Sequence, residues 1–188
     1  MLRQLLVASF KAVFVIWVGL AILCLAASAE PVFPPGLRVG LEPPGDLTLS
    51  KQFPGFEDID HKVAISIFDL PVRAYEEIER SAFGKEQQAL VDMKRESFPF
   101  ASGIGFLISG QSRANGVVLR KWFLLANAVG QDMAVLVNVE VPDAARSIYT
   151  EPMIRKALAS VTFRATPIQE QLGMLPFKLN EMAGFRVM

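Results

Sequence analysis

The sequence predicts an α+β domain, an antiparallel β-sheet with helices packed on it, preceded by an N-terminal apolar signal helix. Three observations lead there. From Gly103 onward, IGFLISG, VVLRKWFLLAN and MAVLVNVEV follow one another with short polar breaks between them, the pattern of an antiparallel meander. Two other stretches, from Asp69 and from Thr150, carry apolar residues at helical spacing instead. Ahead of both, residues 12–29 form an uncharged run of 18.

That run decides the compartment. Arg3 and Lys11 precede it, no acid appears before Glu30, and Ala27-Ser28-Ala29 closes it. A basic start, an apolar middle and small residues at the end are the three regions of a secretory signal peptide. The cut is expected after Ala29, so Ala27, Ala29 and Glu30 mark the cleavage site and the product is periplasmic. The alternative is retention of residues 12–29 as an inner-membrane anchor. Ala12 to Leu25 is short for a helix crossing about 30 Å of hydrocarbon, but the whole run keeps that alternative open. Bulky Ile22 and Leu23 stand before Cys24, which argues against lipidation there. Cys24 is the only cysteine, so a chain starting at Glu30 has no disulfide, thiol nucleophile or cysteine-held zinc.

Beyond the signal, 159 residues remain, enough for one domain and its core. They carry 17 basic and 19 acidic side chains, too balanced for a nucleic-acid surface. Residues 30–36, EPVFPPG, read as a linker because three prolines resist helix and sheet alike. The domain is expected over residues 37–166, with a C-terminal segment over 167–188.

Within the domain, LRVGLE predicts a short strand, and a second strand is expected around Leu49 to Phe56. VAISIF, with Val63, Ile65 and Ile67 on one face, pairs with it across the charged turn EDIDHK. DLPVRAYEEIERSAF is the first helix, Pro71 opening it and Val72, Tyr75, Ile78 and Phe83 sharing an apolar face. KEQQALVDMKRES is polar, with Leu90, Val91 and Met93 alone to bury, and predicts a second surface helix. In VVLRKWFLLAN, apolar residues fall on both faces, so that strand is covered on both sides over its second half. Thr150 is expected to cap TEPMIRKALASV, with Glu151 and Pro152 in the first turn. Ile154, Leu158 and Val161 form its buried stripe, and TFRAT follows as a short strand.

The order and spacing of VGLEPPGDLTLSKQFPGFED, VAISIFDLP, FLISGQSRANGVVLRKWFLLAN, IRKALASVTFR and LPFKLNEMAGFRV resemble exported Gram-negative proteins related to the PsbP-like superfamily. The resemblance implies an α-β-α sandwich and a role as a small accessory subunit docking on a membrane-associated protein partner at the cell envelope. It implies no catalytic residue and no cofactor. In such relatives the segment like AGFRV continues into further strands, so residues 167–188 are expected to open a strand region.

Three clusters are candidates for chemistry. Glu57, Asp58, Asp60 and His61 could hold a hard cation, but no glycine folds the loop around an ion, and a solvated turn is the expectation. His61 is the only histidine and no GxSxG elbow accompanies it, so a serine triad is not expected. Gly103, Gly105 and Gly110 precede or fall within strand-like sequence, which suits a bulge or close backbone approach rather than a phosphate loop. Arg120, Lys121 and Trp122 are the candidate partner surface, since Trp and Arg anchor interfaces; the competing reading puts Trp122 in the core under a helix. No metal or cofactor site is expected. A small-ligand binder or enzyme using a pocket between sheet and helices is the alternative function.

Overall fold

The computed structural model describes residues 30–78, 90–114, 116–128 and 133–175. The apolar run, Cys24, Ala27 and Ala29 lie outside them; Glu30 is the first described residue and is exposed. Among the described residues no helix is long and apolar enough to cross a membrane.

Seven strands form one antiparallel sheet in the order β2-β3-β4-β8-β7-β6-β5. They are β2 (Thr48–Leu49), β3 (Gly55–Asp58), β4 (Val63–Leu70), β5 (Val91–Phe100), β6 (Gly103–Ala114), β7 (Val117–Asn127) and β8 (Ala134–Pro142). A separate two-stranded sheet joins β1 (Val39–Gly40) to β9 (Thr162–Phe163). The helices are short: α1 (Val72–Glu77), α2 (Glu151–Ala159) and α3 (Ile168–Gly173).

Period-2 alternation sets the registers. Ile67, Val137, Leu124 and Leu107 align across β4, β8, β7 and β6 and are all buried. On this face α2 lays down Ile154, Ala157 and Leu158, while Val39 of the small sheet and the adjoining Leu41 and Val161 complete the same core. Arg155 of α2 donates to Glu96 of β5 at 2.8 Å, fixing the helix on that edge. On the opposite face Ile108, Phe123, Leu125 and Ala134 are buried, and α1 lies against β7 and β8. The second half of β7 is therefore covered on both sides, as its sequence predicts.

The structure corrects four expectations. The polar segment expected as a second helix is, from Val91 on, the edge strand β5. Its charged residues suit an edge with only one neighbour, and pairing with β6 outweighs a weak helical pattern. The strand expected around Leu49 to Phe56 divides into β2 and β3, folded against each other as Thr48–Glu57 and Leu49–Phe56 pairs. The linker is not free of sheet: Val32 exchanges backbone hydrogen bonds with Leu41 at 2.9 and 3.2 Å. Thr150 occupies the cap of α2 without a side-chain hydrogen bond; its carbonyl accepts from Ile154 N–H at 3.1 Å. In the C-terminal segment, α3 is a helix, and the AGFRV stretch lies outside the described residues.

The β3–β4 turn is tied to the core through Tyr149. The Tyr149 hydroxyl donates to Asp58 Oδ2 at 2.6 Å, and His61 Nδ1 lies 2.7 Å from the same oxygen. The Tyr149 hydrogen bond, followed by those from His61, lowers the Asp58 pKa from 3.8 to about 2. Burial, then Asp58, raises that of Tyr149. A depressed folded-state carboxylate contributes stability above its unfolded pKa and loses it as pH falls through the folded one. The melting-temperature deficit of Tyr149→Phe relative to the parent should thus be constant between pH 5 and 7 and shrink below about pH 3.8 toward pH 2. Thermal melts across that range check it; a deficit independent of pH would place the effect in packing alone.

Candidate functional site

Where β6 and β7 run beyond the N-terminus of α2, the sheet face opens into a cleft of about 150 Å³. Strand alternation builds its floor. Ser109 lies across from Trp122 and Gln111 across from Arg120, all on the face that carries Leu107 and Leu124 deeper in the core. Asp92 and Glu151 form its sides. Glu151 is there because α2 begins at that residue.

Asp92 is there because β5 bulges. Between Val91 and Lys94 the β5–β6 register shifts opposite Gly110, and Asp92 takes φ +55°, a conformation that Asp tolerates better than most residues. The glycine expectation is met in physical terms. A Cβ on Gly110 would meet Leu90 and the Val91 carbonyl at 3.1 Å, and one on Gly105 would come within 2.7 Å of the Leu125 carbonyl.

The lining is polar, and two of its buried donors make no hydrogen bond. Trp122 is 4% exposed, and its indole Nε1–H is buried with no hydrogen-bond partner. Arg120 Nε stands 3.4 Å from the Asp143 carboxylate, an ion-pair distance, yet its geometry makes no hydrogen bond. Such orphaned groups cost about 1–3 kcal/mol each when nothing occupies the space they face. Glu151 is 3.6 Å from Arg155, which also serves Glu96. The cleft thus offers indole and guanidinium donors, an amide and a hydroxyl that do both, and two carboxylate acceptors. Among the described residues that line it there is no histidine or cysteine.

The three residues of the candidate partner surface are divided by the pleat. Arg120 and Trp122 face the cleft. Lys121 points to the other face and pairs with Glu140 at 2.7 Å. Trp122 is therefore part of the core beside a cleft and is no exposed anchor. The EDIDHK cluster behaves as a structural turn: Asp58 serves Tyr149 and His61, with the His61 and Tyr149 rings 6.2 Å apart, edge to face. Among the described residues no three His, Cys, Asp or Glu side chains converge as a metal site would need. A second groove of about 210 Å³ lies between Pro43, Pro44 and Met153. It is roomier but mainly apolar, and its charged members, Glu42 and Lys156, stand 3.9 Å from each other.

Sequence reasoning passed over Asp92, Ser109, Gln111 and Glu151. A signal for two of them was present: Ser109 and Gln111 continue the inward parity of Leu107, so polar residues occupy core-facing positions.

No family model and no curated protein matches the chain. Among solved structures it is similar to LpqN, involved in cell envelope biogenesis of Mycobacterium tuberculosis, at 12% identity and TM-score 0.44 over 75% of this chain and 88% of LpqN. It is also similar to a protein from Bacteroides thetaiotaomicron VPI-5482, at 13% identity and TM-score 0.43, over 73% of this chain and 49% of that one. At these values neither likeness carries an argument about function.

Proposed function

We propose that this chain is an exported protein of the cell envelope whose sheet domain binds a small polar ligand in the cleft beside Trp122. The reading rests on one observation: Arg120 and Trp122 line one open cleft, and the Trp122 indole N–H and the Arg120 Nε are buried without hydrogen-bond partners. Native proteins satisfy the great majority of buried polar groups, and exceptions gather where a water or ligand belongs. Export is supported by Arg3, Lys11, the apolar run and Ala27-Ser28-Ala29. We take the sheet with α1 and α2 as the sandwich that the PsbP-like resemblance implies.

Docking on a membrane-associated partner, the role the resemblance implies, would use Trp122 as an exposed anchor, and its 4% exposure speaks against that use. The proposed activity is binding without chemical conversion, and it calls on no cofactor and no nucleic acid.

The test is a thermal-shift panel on the intact protein, with sugars, polyols, carboxylates, amines, phosphate and amino acids at millimolar concentration. Binding to the folded state raises the midpoint by mass action. At least one small polar compound should raise it in the parent and not in Arg120→Gln. A panel with no effect on the parent would remove the proposal.

A further inference from the structure

The charge layout of the cleft narrows the ligand class, and this step rests on the binding reading above. Arg120 and the Trp122 indole form one side, a cluster of donors suited to an anionic group, because a guanidinium presents five N–H groups and its Nε is the atom that stands 3.4 Å from Asp143. The other side is acidic. Asp92 is exposed and lines the cleft from a backbone turned into a left-handed conformation. Glu151 adds a second carboxylate, held only at 3.6 Å by Arg155. Gln111 and Ser109 lie between these two sides, and an amide or hydroxyl can donate or accept.

A simple anion would satisfy the Arg120 side and be repelled by Asp92 and Glu151. A simple amine would do the reverse. A neutral polyol would bring no counter-charge to either side, where Arg120 and Glu151 are held by ion pairs with Asp143 and Arg155 at 3.4 and 3.6 Å. The space is also small: about 150 Å³ falls below the roughly 300–1,000 Å³ of pockets for drug-sized ligands. We infer that the cleft takes a small zwitterion of amino-acid type, its carboxylate on Arg120 and the Trp122 indole N–H, and its ammonium on Asp92 and Glu151.

Isothermal titration on the intact protein tests this with glycine, L-alanine and D-alanine as probes, and with acetate, methylamine and glycerol as half-ligands. At least one amino acid should bind saturably, and at least tenfold more tightly than any half-ligand. Arg120→Gln and Asp92→Asn should each weaken that binding tenfold or more, with unfolding midpoints measured alongside to confirm folded protein. Asn tolerates the left-handed backbone as Asp does, so Asp92→Asn tests charge and not shape. Binding of acetate or glycerol as tight as that of the amino acids would overturn the zwitterion class while leaving a small-ligand site in place. Amino-acid binding unchanged in both variants would put the site elsewhere and overturn the assignment. Failure of every probe, together with a blank thermal-shift panel, would remove the binding reading itself.

Discussion

Gly55→Ala should cost about 3–5 kcal/mol of folding stability, at the upper end for single substitutions. Gly55 opens β3 with φ +150°, and a Cβ there would collide with the backbone carbonyl of Ile65 on the paired strand. Backbone is the obstacle, so no side-chain rotation relieves it. The neighbouring hydrogen bonds make a shift expensive, because Ser50 N–H donates to the Gly55 carbonyl at 3.0 Å and Ile67 N–H to that of Pro54 at 2.9 Å. Moving the strand away to admit a methyl group would break both and loosen Phe56, which is buried in the core. Gly173→Ala is the control, since a Cβ there meets nothing within 4 Å; it should be neutral or slightly stabilising through the unfolded chain. Chemical denaturation of the three proteins checks the contrast. A Gly55→Ala loss below about 1 kcal/mol would mean the β3–β4 approach is looser than described.

Leu158→Ala should cost about 2–5 kcal/mol. Leu158 is fully buried, in the core that α2 shares with Trp122, Leu124 and the residues of the small sheet. Two terms add: the lost transfer energy of the side chain, and the cavity left between layers fixed by hydrogen bonds at the end of α2. Those links are the Ala101 N–H bond to the Ala159 carbonyl at 2.7 Å and the Glu42 N–H bond to Ser160 Oγ at 2.8 Å. They limit collapse, which favours the upper part of the range. Lys156→Ala, on the exposed side of the same helix, should change stability by less than about 1 kcal/mol, because its contact with Glu42 at 3.9 Å is a surface ion pair. Equal losses in the two variants, read by the same denaturation, would contradict the placement of α2.

Most of the sheet was legible in the sequence because alternation leaves a strong signal. Val63-Ile65-Ile67 and Val135-Val137-Val139-Val141 each show one buried face, and α2 declared itself through Ile154, Leu158 and Val161. Edge strand β5 was not legible. Exposed from Val91 to Arg95, it buries only Phe98 and Phe100 at its far end, and Val91, Met93 and Lys94 fit a surface helix equally well. The cleft was legible only in part. Trp122 and Arg120 drew notice as a cationic-aromatic pair, but parity alone separates them from Lys121. Asp92 reaches the site through a bulge, and Glu151 through the packing of α2 on β5. Both are products of tertiary arrangement and leave no local trace. The Asp58–Tyr149 bond joins residues 91 apart in the chain, out of reach of any motif.

The central claim is that the cleft beside Trp122 is a ligand site, and the indole N–H of Trp122 reports on it directly. Trp122 is the only tryptophan after Ala29, so the exported chain gives one indole resonance, and Trp122→Phe confirms its assignment. A ¹H–¹⁵N titration with the most stabilising compound of the thermal-shift panel should move the Trp122 resonance saturably. A Trp122 resonance that stays fixed while the compound raises the melting midpoint would contradict the account.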